Sequence, residues 1–211
     1  MAVLDLVLVG VWVVLVSFVR GAIQYRRTGS SPVRLRDRPG SPQWWARFVS
    51  TVGVVLAIAA PAAELAGFPA FAPLDQPLVR WSGVVLVVLG IVMTIGSQVA
   101  MGRSWRADVD PDATTELVTS GPFRLVRNPV FTGSAITVLG LALVVPNVVS
   151  LLMLVAFLAG LEIQVRLVEE PYLLRVHGDA YRTYAADGSV RAGRRAPEEP
   201  GKQVVARYQS P

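Results

Sequence analysis

Two short stretches hold most of the side chains able to do chemistry. The first reads Gly121-Pro122-Phe123-Arg124-Leu125-Val126-Arg127-Asn128-Pro129-Val130-Phe131-Thr132-Gly133. The second is Arg166-Leu167-Val168-Glu169-Glu170-Pro171-Tyr172, followed by His177-Gly178, Tyr181 and Tyr184. Gly121-Pro122 marks a turn, and Asn128-Pro129 supplies a helix cap and a first helical position. Arg124 and Arg127 share one face if their stretch is helical, and two guanidiniums beside a helix start suit an anion such as a carboxylate or phosphate. They equally suit contact with lipid phosphates, and composition alone favours that plainer role. Glu169 and Glu170 stand within helical pairing reach of Arg166, and they could also meet arginines returning from the first stretch. As an exposed ion pair such a contact is worth less than ~1 kcal/mol. His177, the single histidine, reads more as a helix-end residue before Gly178 than as a base.

The elements that must position these residues are apolar. Of 211 residues 53% are hydrophobic and 17% charged, with mean hydropathy +0.49, so the chain belongs in a bilayer. The absence of cysteine excludes thiol catalysis, disulfides and zinc ribbons, and a lone histidine leaves no metal centre. Spanning a hydrocarbon core of about 30 Å takes roughly 20 apolar residues. Ala2–Val19 is one candidate, interrupted only by Asp5; without a basic leader or a small-residue cleavage site it reads as a span, not a cleaved signal peptide. A second lies between Arg47 and Glu64, opened by the interfacial pair Trp44-Trp45. A third lies between Arg80 and Arg103.

The fourth apolar stretch, Asn128 to Leu161, is too long for one span: as a single helix it would measure roughly 50 Å. Pro146-Asn147 near its middle predicts a helical hairpin of two short spans, with one tilted helix kinked at Pro146 as the alternative. The fold expected is therefore all-α, an integral membrane protein of about five transmembrane helices with cytoplasmic cofactor-binding segments. Charge supports the hairpin. Arg20, Arg26, Arg27, Arg34, Arg36, Arg38 and Arg47 crowd the first loop (20–47), four more arginines lie in 103–127, and eight basic residues follow Glu162. By the positive-inside rule the N-terminus faces out and the C-terminus is cytoplasmic, in the cell membrane, with Arg80 the one exception. The net charge of +5 is thus topology, and no nucleic acid is expected as partner. Segment 28–42 reads as an irregular loop, and 192–211 as a disordered tail. Residues 1–101 would hold the first three helices, 102–191 the catalytic region. Neither a solenoid repeat nor a heptad seam is evident.

The run G-P-F-R-L-V-R-N-P-V-F-T-G, a hairpin, then E-E-x-x-L-x-x-x-H-G-x-x-Y-x-x-Y and Val190-Arg191, resembles the isoprenylcysteine carboxyl methyltransferase family and the related bacterial phospholipid methyltransferases. Gly102-Arg103-x-Trp105 and Leu117-Val118-Thr119-Ser120 fit the same pattern. The resemblance implies a membrane methyltransferase that uses S-adenosyl-L-methionine, held on the cytoplasmic side by the two motifs. In agreement, the chain has no G-x-G turn of the kind a soluble Rossmann methyltransferase needs. Carried over, the family's R-H-P-x-Y falls on Arg127, Asn128, Pro129 and Phe131, its E-E on Glu169 and Glu170, and its catalytic arginine nearest Arg166. Asparagine at 128 can hydrogen-bond but not carry a proton, Phe131 lacks the family hydroxyl, and Pro171 can kink the helix.

On this resemblance the expected catalytic pair is Arg166, orienting the acceptor, and Glu170, fixing that arginine or touching the cofactor. Arg124 or Arg127 would meet the methionyl carboxylate, while Phe123, Phe131 or Tyr181 would lie against the adenine or sulfonium. Gly121, Asn128, Pro129 and Glu169 complete the expected cofactor set, with no metal. The acceptor is a membrane lipid or lipidated molecule: an isoprenoid or prenylcysteine carboxylate, or a phospholipid amine, for which Glu170 would have to serve as base. Two other classes remain open, an NADPH-dependent reductase of the steroid or sterol reductase type, which shares the C-terminal hairpin, and a non-catalytic membrane scaffold.

Overall fold

The computed structural model describes residues 1–29, 37–102 and 117–190. Arg103, Trp105, Arg106, Arg191, the 192–211 tail and residues 30–36 of the 28–42 loop lie outside the described residues. Among the described residues every regular element is helical. α1 (Ala2–Val13) runs through a π-helical stretch (Val14–Val19) into α2 (Arg20–Thr28) without a break. α3 (Pro42–Leu65) and α4 (Pro77–Ala100) follow. α5 (Pro129–Val144) and α6 (Val148–Ile163) form the hairpin, and α6 continues through a second π-helical stretch (Gln164–Glu169) into α7 (Glu170–Val190). Four of the resulting helices are long and apolar enough to cross a membrane, and α5 is a shorter apolar helix beside them. The chain is an all-α, multi-pass membrane protein.

The hairpin turns at Val145-Pro146-Asn147, not in a kinked single helix. Pro146 cannot donate to the helix, and the chain reversal leaves backbone groups that lipid cannot satisfy. Asn147 supplies much of the remedy. Its side chain accepts from the Ser150 backbone in a reciprocal capping box, and its Nδ2 donates to the Ala60 carbonyl of α3 at 2.9 Å. Phe71 N–H donates to the Pro146 carbonyl at 2.7 Å. Arg80, the exception to the charge pattern, is neutralised where it stands. It bonds Glu64 and Asp75 at 2.8 Å each, and its Nη1 donates to the Val144 carbonyl at 3.2 Å.

Two antiparallel helix pairs, α4/α5 and α3/α6, make the frame. Their seams are built from small residues. Gly83 and Gly90 face Gly140 and Gly133, and a Cβ on any of the four would fall within 2.7 Å of the facing helix. In the other pair Gly53 lies against Phe157, and Gly160 against Ser50 and the Ala46 carbonyl. Positions 46, 50, 53, 57 and 60 of α3 form a heptad seam that reading for large apolar residues overlooks. Lipid is as apolar as leucine, so helices gain by close backbone approach and not by burying large side chains. Those point outward: Phe18, Leu78 and Val92 are 69%, 82% and 63% exposed. Asp5 does the opposite, buried on the α1 stripe shared with Val9 and Trp12, as an ionisable residue in a span must be.

A methyl group at position 90 would sit 2.4 Å from Thr137 Oγ1 and 2.6 Å from the Gly133 carbonyl. Gly90→Ala is expected to cost about 1–3 kcal/mol of stability through overpacking, seen as a lowered thermal midpoint in detergent. Gly96→Ala, with nothing within 4 Å, serves as the control and should show no such loss.

Candidate active site

Both motif stretches come to the same end of the bundle. The first leaves α4, forms a 3-10 turn (Gly121–Arg124), and enters α5 with Asn128 at the N-cap position and Pro129 at its start. Gly121 makes the turn with φ +60, a left-handed value that glycine adopts without a Cβ penalty. Because the 3-10 helix stops at Arg124, Arg124 and Arg127 do not share a face: Arg124 is exposed and Arg127 turns toward α7. The expected twin-arginine anion site is therefore not assembled by this pair.

The second stretch owes its shape to a proline and a glycine. Pro171 has no N–H, and the turn before it is widened into the π-helical stretch Gln164–Glu169, closed by Glu170 N–H donating to the Val165 carbonyl. Such wide turns relieve the proline ring and recur at functional sites. Gly178 then breaks the helix outright, with φ 50 and ψ −121. This bend lets Tyr181 and Tyr184 return to the first motif. The Tyr184 hydroxyl donates to the Phe123 carbonyl at 2.7 Å, which pins the 3-10 turn.

At the meeting point Arg127 Nη2 donates to Glu170 Oε1 at 2.7 Å and to the Tyr181 hydroxyl at 3.1 Å, with its guanidinium 5.9 Å from the Tyr181 ring centroid. Tyr181 is buried and the ion pair is half-buried. The hydrogen bond to Tyr181, with the neighbouring Glu170 charge adding to it, holds the Arg127 guanidinium above its ordinary value, so it stays charged at working pH. Arg166 is not brought to this cluster. It is exposed and pairs one turn back with Glu162 at 2.5 Å. Helical side chains lean toward the N-terminus, and a glutamate four residues before an arginine is the favoured order, so Glu162 wins over Glu169 and Glu170.

Beside the cluster lies a cavity of about 440 Å³, of a size that holds small-molecule cofactors. Of the expected site residues, Phe123, Asn128, Phe131 and Glu169 line it; Gly121, Arg124, Arg127, Pro129, Arg166, Glu170 and Tyr181 do not. Asn128 makes no side-chain cap bond to α5, so its amide remains for the cavity. Pro129 is buried at the helix start. The opposite wall comes from residues the motif reading did not reach: Trp12 and Val16 of the N-terminal helix, Gln43, Arg47 and Ser50 of α3, and Gln98 of α4. Gln98 and Gln164 carry the one signal that could have flagged them, polar side chains inside apolar helices. Gln98 Oε1 and Gln164 Nε2 are buried without a hydrogen-bond partner among the described residues.

An integral membrane protein with a polar-mouthed cavity at one end of its helix bundle, large enough for a small molecule, is what the fold and this geometry define. Residues 78–180 match the model of the phospholipid methyltransferase family, so this segment is similar to that family. No curated protein matches the chain.

The bend at Gly178 can be tested on its own. Alanine there has room, since nothing lies within 4 Å, but the left-handed backbone costs it about 1–2 kcal/mol. Gly178→Ala is expected to loosen residues 179–186, measured as faster hydrogen exchange over that segment, while membrane insertion is unchanged.

Proposed function

We propose that the protein transfers a methyl group from S-adenosyl-L-methionine to a lipid-like acceptor at the cytoplasmic face of the cell membrane, with the N-terminus outside and residues 102–191 as the catalytic region. The observation that carries this reading is the cavity lined by Asn128 and Glu169, each next in sequence to a member of the Arg127–Glu170 ion pair, with all four residues in a segment matched by a methyltransferase family. The donor set fits the cofactor. Gln98 Oε1 and Gln164 Nε2 can meet its polar groups, the rings of Phe123 and Phe131 can lie against adenine or sulfonium, and Glu169 is a carboxylate facing the same space. When bound, the cofactor supplies an electrophilic methyl carbon.

The chain's own part is to orient and to exclude water. In-line displacement needs the nucleophile held near the methyl carbon in a dry pocket, and the apolar walls provide this. Arg47, which lines the cavity, is matched by Asp37 at 2.6 Å, Arg127 by Glu170 at 2.7 Å, and Arg20 donates to the Gln98 carbonyl at 2.8 Å. Glu169 forms no ion pair among the described residues. A carboxylate outside any ion pair, beside arginines that are already matched, favours an acceptor that arrives as an amine over one that arrives as a carboxylate, which agrees with a phospholipid. In this arrangement Glu170 holds Arg127 in place, and Glu169 accepts the proton an ammonium group must shed before its nitrogen can attack.

Glu169→Gln is expected to lower methyl transfer about 10²–10⁴-fold while S-adenosylhomocysteine binding stays within a few-fold. Glu170→Gln should weaken both by releasing Arg127. The assay is radiolabelled methyl transfer into total lipid extract, paired with titration of S-adenosylhomocysteine against NADPH. Binding of NADPH alone would replace this reading with a reductase, and binding of neither with a scaffold.

A further inference from the structure

The cavity is longer than a cofactor site at the membrane face requires. It runs from Gln43 to Val54 along α3, a rise of roughly 16 Å, which is about half of a 30 Å hydrocarbon core. On α6 and its extension it reaches from Glu169 down to Phe157, and on the N-terminal helix from Gly21 down to Trp12. Chemistry changes with depth. Gln43, Arg47, Asn128 and Glu169 gather at the outer end, whereas Trp12, Val54 and Phe157 line the inner end. Ser134, the polar residue that α5 contributes at depth, spends its hydroxyl on the Val130 carbonyl of its own helix at 3.0 Å. Trp12 Nε1 is an unpaired donor at that end, but no charged side chain lines it, so an ionic group placed there would lack a counter-charge, whereas an alkyl chain needs none. The inner end is closed by Trp12, which is buried and meets the Phe157 ring edge-on at a centroid distance of 5.3 Å.

We propose that the inner half of the cavity takes one hydrocarbon chain of the methyl acceptor, and that Trp12, braced by Phe157, sets the longest chain accepted. The proposal rests on the methyltransferase reading above and adds to it which residues select the acceptor. Trp12, Val16 and the α3 wall all lie outside residues 78–180, the segment matched by the family model. Selection by chain length is thus built from a part of the chain separate from the Arg127–Glu170 clamp. Moving a chain from lipid into the cavity brings no net hydrophobic gain, because both are apolar. Discrimination comes from fit: a chain that ends before Trp12 is accommodated, and one that continues past it collides with the ring.

The test uses the full chain in nanodiscs and n-alkylamines from octyl to octadecyl as probes, titrated at equal mole fractions in the lipid. Binding by the unaltered protein should peak at one chain length. Trp12→Ala should move that peak to longer chains and raise affinity for the longest probe about tenfold, a 1.4 kcal/mol change. Val16→Phe, which adds volume to the wall without removing the Trp12–Phe157 contact, should move it to shorter chains and keeps the test open if Trp12→Ala fails to fold. A flat profile, or one unmoved by Val16→Phe in protein that still binds S-adenosylhomocysteine, overturns the proposal. Methyl transfer into lipid extract is measured separately. If the peak shifts as expected but no methyl is transferred, the channel stands and the enzyme reading falls; if methyl is transferred with an unmoved profile, the reverse holds.

Discussion

Reversal of the chain at Val145-Pro146-Asn147 is the constraint on which the rest depends. α5, sixteen residues long, rises roughly 24 Å, less than a hydrocarbon core of about 30 Å, so the turn at its end must find hydrogen-bond partners inside the protein. It does so through Asn147 on Ala60, Phe71 on Pro146 and Arg80 on Val144. These bonds tie the hairpin to α3, to the 66–76 connection and to α4 at once. With the turn fixed at that end, the start of α5 and the end of α6 must emerge together at the other. The meeting of Arg127 with Glu170, forty-three positions apart, is a consequence of that geometry.

Much of this was legible in the residues and some was not. Apolar length and a central Pro-Asn pair are strong signals because they follow from bilayer thickness and backbone chemistry, and both the spans and the hairpin could be read from them. That the glutamates could meet arginines returning from the first stretch followed once the chain was known to double back, but not that Glu170 would take Arg127, which the family pattern assigned to the cofactor. The positions of Arg124 and Arg166 did not follow, for different reasons. A 3-10 turn that ends at Arg124 breaks the presumed shared face, which a spacing rule that assumes regular helix has no means of detecting. Arg166 goes to Glu162 by ordinary helical spacing and N-terminal side-chain lean, a pairing that reading only forward to Glu169 and Glu170 passes over.

The seams show a different kind of gap. Gly83, Gly90, Gly133 and Gly140 look unremarkable in an apolar sequence, and a search for heptads of leucine and valine passes over them. Bilayer physics reverses the sign of that search. Close approach of α4 and α5 leaves Thr94 and Thr137 fully buried, with Thr137 Oγ1 donating to the Gly133 carbonyl at 2.9 Å, so even the polar residues of the seam are satisfied within the pair. The result is a rigid α4/α5 unit under the first motif.

Rigidity on one side of the cavity contrasts with its opposite wall. The N-terminal helix is joined to the bundle near the cavity by Arg20, whose Nη2 donates to the Gln98 carbonyl at 2.8 Å in the last turn of α4, where a cation complements the helix dipole. Directly before Arg20 lies the π-helical stretch Val14–Val19, and the second such stretch, Gln164–Glu169, faces it across the same space. Wide helical turns on both sides place Val16 and Glu169 on the cavity and leave the clamp outside it. The matched segment contributes the tightly packed α4/α5 pair and the Arg127–Glu170 ion pair, while the facing wall, with Trp12 and Val16, comes from an N-terminal helix without a glycine seam of its own.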